Sequence, residues 1–223
     1  MIDEFIKFFA LSFTALFPVI NPLGSSLVFL GMVGDAPLKV FGMLARKVAV
    51  STALFLLAMD LGGAAVLKLF GISLPVVQLA GGLVLASMGW GLLNQKDAST
   101  SGESSPALSD RATLVNNVFY PFTFPVTAGP GVLVVMLTLS AHASKGPFWE
   151  DVVAQLGILL GMALMCVAVF ICYANAPKIT LKISPSTAHG VLRVIAFVLL
   201  CIGVQIAWNG LSTLANLRAN LPH

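Results

Sequence analysis

Long apolar runs separated by short polar stretches pattern this chain from end to end. A helix needs about 20 apolar residues to cross a hydrocarbon core. On that length, six spans can be placed: Phe5–Val33, Val48–Leu67, Leu74–Leu93, Val118–Ala141, Val152–Ala174 and Val194–Leu214. The expected fold is an all-α polytopic membrane protein. The first run is too long for one simple helix, as a break at Asn21–Gly24 would explain. As a signal peptide it would have the wrong flanks: Asp3 and Glu4 lead it, no basic cluster precedes it, and no clear small-residue cleavage site follows.

That break occurs twice. Phe17-Pro-Val-Ile-Asn-Pro-Leu-Gly24 returns as Phe124-Pro-Val-Thr-Ala-Gly-Pro-Gly131, and Val28 and Leu30 still match Val135 and Leu137. Proline removes a backbone donor and glycine loosens a helix. Hydrocarbon cannot satisfy the groups so released, so broken backbone at that depth must be buried in protein or line a cavity. Paired discontinuous segments in corresponding halves point to a transporter's binding site.

Composition agrees with the membrane class. Hydrophobic residues make up 58% of the chain, charged residues 9%, and mean hydropathy is +0.97, against about a quarter charged in soluble domains. The net charge of +3 is small and scattered, and no arginine-rich helix or aromatic-basic stripe is present, so no nucleic-acid partner is expected. Cys166, Cys172 and Cys201 sit in apolar runs without a C-x-x-C pair and read as buried structural thiols. There is no H-E-x-x-H, Gly-x-Ser-x-Gly elbow, membrane Asp pair or P-loop. Neither an enzyme nor direct ATP drive is expected, and no cofactor or metal.

Loop charge orients the spans. One side carries four basic residues, Lys7, Lys68, Lys145 and Arg218; the other carries eight, Lys39, Arg46, Lys47, Lys96, Arg111, Lys178, Lys182 and Arg193. The richer side should be cytoplasmic, which puts both termini in the periplasm. Trp90, Trp149 and Trp208 lie near span ends, where interfacial rings belong. The polar stretch Asn94–Ser109 reads as a flexible cytoplasmic connection. It divides the chain into a first three-span repeat (1–93), a linker (94–117) and a second three-span repeat (118–223). Halves that each cross an odd number of times are related by inversion. The third and sixth spans echo each other weakly, Val84, Leu85 and Gly89 against Val198, Leu199 and Gly203.

The two breaks define a candidate site. A half-helix ending at mid-membrane exposes carbonyls, and one beginning there exposes N–H groups. A zwitterion needs both, carbonyls for its ammonium and N–H groups for its carboxylate. Gly24, Gly129 and Gly131 would let a ligand approach the backbone, Asn21 and Thr127 would add side-chain hydrogen bonds, and Pro22 and Pro130 would hold the breaks. On the plainer reading these glycines and prolines only kink helices or let them pack closely. Gly62 and Gly82, outside the breaks, are expected to tolerate change far better. His142 and His189 read as interfacial. Gln78, Gln155, Gln205, Asn175 and Asn209 read as hydrogen-bonding between helices.

These residues also carry a resemblance. Asn21-Pro-Leu-Gly24, Gly71-Ile-Ser-Leu-Pro75 with Leu79-Ala-Gly-Gly-Leu83, Thr127-Ala-Gly-Pro-Gly131, and Arg193 through Cys201-Ile-Gly-Val-Gln205 to Asn209-Gly210 span nearly the whole chain. They resemble the MarC family of six-span inner-membrane proteins, also called the neutral amino acid transporter family. The resemblance implies an inverted repeat of three spans with the substrate site at the broken first and fourth spans, taking in Ala128 with its neighbours. It also implies glycine- or alanine-class substrates. Ala196 stands where a glycine is common in that family, and Asp60 where an uncharged residue is usual.

Asp60 is the only acidic residue well inside a predicted span, and a carboxylate at membrane depth is costly and functional by default. It is a candidate for proton coupling; a shallower position or a structural ion pair are the alternatives. Three functions compete: a carrier of small neutral amino acids, an exporter of other small molecules including antibiotics, and a membrane scaffold without transport. The sequence sets no coupling ion, direction or oligomeric state.

Overall fold

The computed structural model describes residues 2–94, 118–143, 147–182 and 185–219. Every regular element among them is helical: α1 Ile2–Ile20, α2 Pro22–Val33, α3 Leu38–Leu69, α4 Leu74–Leu93, α5 Val118–Thr127, α6 Pro130–Ala143, α7 Phe148–Ala174, α8 Ala176–Lys182 and α9 Pro185–Ala219. Five stretches are long and apolar enough to cross a membrane, and six if α5 and α6 count as one. The linker proposed at 94–117 lies outside the described residues except for Asn94, whose amide closes the end of α4 on Trp90 O at 2.9 Å.

The helices outrun the apolar stretches that predicted them. α3 begins ten residues before Val48 and α9 nine before Val194. Arg46 and Lys47 end the apolar run but not the helix, because Val40, Phe41, Leu44 and Ala45 keep one face buried while the two cations stay exposed. α3 ends on a Schellman turn: Ile72 N–H reaches Leu67 O at 2.9 Å and Gly71 N–H reaches Lys68 O at 3.1 Å, with Gly71 at φ +66°. Pro75 then sits in the first turn of α4, where its missing donor is harmless. The result is a tight α3–α4 hairpin.

Small residues bring the helices together. α4 packs along α9, and α1 and α3 both pack along α7. A Cβ added at Gly89 would meet Leu200 N and Ala196 O at 2.6 and 2.8 Å; one at Gly203 would meet Ala86 N and Gly82 O. The backbones of α4 and α9 therefore touch, as close glycine packing in membranes allows. This overturns Gly82 as a tolerant position, since its Cβ would run into Gly203 O and the Ala207 backbone, whereas Gly62 faces open space. Gly157 on α7 likewise takes Phe5 O and Phe9 N of α1, where a Cβ would lie 2.6 and 3.0 Å from them.

Other expectations shift with the side chains. Cys201 is exposed rather than buried, while Cys166 is buried, and both are free. Gln205 bonds Asn209 on its own helix at 3.0 Å, and Asn175 bonds Ile171 O, so neither pair joins two helices. Spacing of four residues puts such partners on one helical face. Gln155 does cross between helices, to Asp60.

Candidate functional site

The first interruption is a single residue. Asn21 adopts the left-handed conformation, φ 45° and ψ 66°, which asparagine tolerates better than other side-chain-bearing residues. Its carboxamide oxygen accepts from Gly24 N–H at 3.1 Å, capping α2, and Pro22 occupies the first helical position. α1 and α2 still run on as one apolar stretch, Ile2–Val33.

The second interruption is wider. α5 is wound loosely, with Tyr120 and Phe124 both extended at φ −118° and ψ 127°. Each precedes a proline, whose ring disfavours helical geometry in the residue before it. Two four-residue units follow one another here, Tyr120-Pro-Phe-Thr123 and Phe124-Pro-Val-Thr127. Their threonine hydroxyls donate to Val118 O at 3.1 Å and to Phe122 O at 2.7 Å, replacing backbone donors that the irregular winding withholds. α6 then leaves at 70° to α5.

Tyr173 on α7 joins the two. Its phenol oxygen lies 2.7 Å from Thr127 Oγ1, and the Ser25 hydroxyl is a further polar neighbour. Ser25 Oγ in turn donates to Asn21 O at 2.8 Å. A chain of polar groups therefore runs from the Asn21 carbonyl through Ser25, Tyr173 and Thr127 to the Phe122 carbonyl. Tyr173 is fully buried and stacked on Phe29 of α2, centroids 4.5 Å apart; Phe29 meets Phe122 edge-on at 5.3 Å. Ser25 and Thr127 spend their protons on the Asn21 and Phe122 carbonyls, which leaves the Tyr173 phenol to donate to Thr127 Oγ1.

Known proteins place the chain in a family. The model of the MarC family integral membrane proteins matches residues 6–215. The chain belongs to the MarC family. It is 30% identical over 217 residues to the inner membrane protein MarC of Salmonella typhimurium (strain LT2), covering 94% of this chain and 96% of the relative. To the protein of that name from Escherichia coli O1:K1 it is 27% identical over 215 residues, covering 95% and 96%. No solved structure matches it.

In this MarC-family chain the residues predicted to bind substrate differ in burial. Pro22, Thr127, Ala128 and Gly131 are buried, Asn21, Gly24 and Gly129 are half-buried, and Pro130 is exposed. The space beside Gly24 is taken by Asn21's own carboxamide and by Leu192, and that beside Gly131 by Leu85 and Val19. Both glycines thus serve close packing in this conformation. Val19, from the last turn of α1, lies 3.2 Å from where a Gly131 Cβ would stand, so the end of α1 abuts the start of α6. A Cβ at Gly129 would meet the Pro125 backbone, with its oxygen 3.0 Å away.

Sequence reasoning missed Tyr173 and Ser25. Ser25 follows the quoted motif directly, but Tyr173 lies 46 residues from Thr127 with no local signal. Asp60 belongs to a separate cluster with Gln155 and Ser140. It is buried and has no ion-pair partner among the described residues, so the structural salt bridge does not form. A cavity of about 780 Å³ opens beside Arg46, Lys47 and Val118, and it touches the second interruption only at that first residue of α5.

Proposed function

We propose that this MarC-family protein is a secondary transporter of small neutral amino acids in the inner membrane, working by alternating access. One amino acid is held where the two interrupted spans meet. The polar chain Ser25–Tyr173–Thr127 carries this reading, because it ties both interruptions to one buried point. Two helices, α2 and α6, begin at prolines flanking that point, and helix starts offer N–H groups and a positive dipole end to a carboxylate. An ammonium group would donate to the carbonyl and hydroxyl oxygens gathered there. Both ends of a zwitterion thereby find partners, and the close packing around Gly24 and Gly131 favours a small side chain.

Alternating access would use an inverted repeat of three spans in each half, with both termini in the periplasm. The reciprocal packing of α4 and α9 supports it. Aligning Gly89 with Gly203 turns the Gly89 contacts, Ala196 O and Leu200 N, into the Gly203 contacts, Gly82 O and Ala86 N. The same offset relates Val84 and Leu85 to Val198 and Leu199. Purified protein in liposomes loaded with unlabelled alanine should accumulate external labelled glycine or alanine by counterflow. Absence of counterflow for every small neutral amino acid, from protein shown to be folded, would rule the reading out.

A further inference from the structure

Asp60 lies apart from the paired interruptions, on α3 between Lys47 and Lys68. Those lysines are roughly 32 Å apart along the helix at 1.5 Å per residue, close to the hydrocarbon thickness of about 30 Å. Asp60 falls about 12 Å inside the Lys68 end. It is 5% exposed. Its Oδ2 accepts from Gln155 Nε2 on α7. Ser140 Oγ on α6 donates to the Asp60 backbone carbonyl at 3.0 Å, which brings it beside the carboxylate. Oδ1 has no hydrogen-bond partner.

An ionised carboxylate in this position, with neutral neighbours alone, is too costly to persist, so something positive must neutralise it. A cavity of about 320 Å³ supplies a route. It is lined by Ala64 and Lys68 on α3, Ser73 beyond it, and Leu137 and Ser140 on α6. Ala64 is one turn from Asp60, and Ser140 is common to the cavity and to Asp60's hydrogen bonds. Toward that end the charged and titratable groups on the surrounding helices are Lys68 on α3, His142 on α6 and Glu150 and Asp151 on α7; α5 carries only the exposed Tyr120. Arg46 and Lys47 lie toward the far end of α3.

We infer that Asp60, with Ser140 and the Gln155 carboxamide, takes up one small monovalent cation reversibly, a proton or Na⁺, from the α3–α4 end. A proton would add at Oδ1. Na⁺ would find hard oxygen ligands in Oδ1, Ser140 Oγ and, with the amide turned, Gln155 Oε1. Either neutralises the carboxylate. α6 carries both Ser140 and, nine residues earlier, Gly131 at the second interruption. Cation uptake therefore bears on the helix that opens the substrate point. This coupling role rests on the transport reading; the cation site itself does not.

The test uses full-length protein in detergent without amino acid. Thermal unfolding and the infrared band of protonated carboxyls are followed across pH in NaCl and in choline chloride. For a proton, a carboxyl band titrates reversibly, is missing in Asp60→Asn, and does not distinguish the two salts. For Na⁺, NaCl raises Tm above choline chloride by mass action, the rise is lost in Asp60→Asn, and Ser140→Ala needs about ten- to a hundredfold more Na⁺. Should Asp60→Asn not fold, the parent's response and its shift in Ser140→Ala decide. A parent without a titrating band or Na⁺ response, or a folded Asp60→Asn identical to it in both, overturns the site. Glycine binding on the same samples separates the two readings. Cation uptake without glycine binding keeps the site and removes its coupling role; glycine binding without cation uptake removes the site alone.

Discussion

The two interruptions share sequence but differ in geometry. At Asn21 one residue leaves the helix and the span runs on. Between Val118 and Pro130 the backbone winds loosely over ten residues, and two helices meet at 70°. Proline number and position both enter, because a lone Pro18 stays within α1 whereas α5 carries two prolines four residues apart. Pro22 occupies the first position of α2, where no donor is needed, so a single capping asparagine completes the turn. Pro121 and Pro125 fall inside the wound segment, and the residue before each is extended, the conformation a following proline favours. Thr123 and Thr127 then bond the carbonyls left behind. The first interruption is a local cap, whereas the second depends on buried hydroxyls reaching other parts of the chain.

Thr127→Val should be the most damaging way to probe that contrast. It keeps the shape but leaves Phe122 O short of a donor and Tyr173 short of one partner in a fully buried position. At about 1–3 kcal/mol for each unsatisfied buried group, the loss should be about 2–4 kcal/mol in reversible unfolding. A loss below about 0.5 kcal/mol would mean that the hydroxyl is not structural.

Asn21→Ala comes next. It removes the cap, at about 1 kcal/mol, and places a Cβ-bearing residue without a compensating hydrogen bond in the left-handed region, at about 1–2 kcal/mol. Asn21→Gly should restore most of that stability, because glycine accepts the backbone and caps nearly as well. If the glycine variant is as unstable as the alanine one, the side chain does more than turn the chain. Tyr173→Phe should have the smallest effect, about 1 kcal/mol. Thr127 and Ser25 keep Phe122 O and Asn21 O as acceptors, so only the link between the interruptions is lost.

Much of this was legible in the residues themselves. Asn21-Pro22 and the apolar length around it predicted the first interruption, because proline's missing donor and asparagine's left-handed tolerance are local properties. The second was located but not its width, since only Phe124-Pro125 has a counterpart in the first half; the tandem Tyr120 and Phe124 units carried that signal. The extensions of α3 and α9 were not read because charge ends an apolar run without breaking helical hydrogen bonds. Tyr173 had no local mark: one phenol in an apolar span gains its meaning only when α7 packs against α2. Asp60 stood out against its apolar surroundings, but Gln155 and Ser140 reach it across two other helices.

The most direct test of the central claim, that both interruptions hold one amino acid, is calorimetric titration of glycine and alanine into folded parent, Asn21→Gly, Thr127→Val and Tyr173→Phe proteins. The account predicts one saturable site in the parent. Thr127→Val and Tyr173→Phe should each weaken it by about ten- to a hundredfold, as expected for a lost hydrogen bond to a charged group. Asn21→Gly should also weaken it, showing that the first interruption contributes. Parent-like affinity in all three variants, or no saturable binding to a folded parent, would contradict the account.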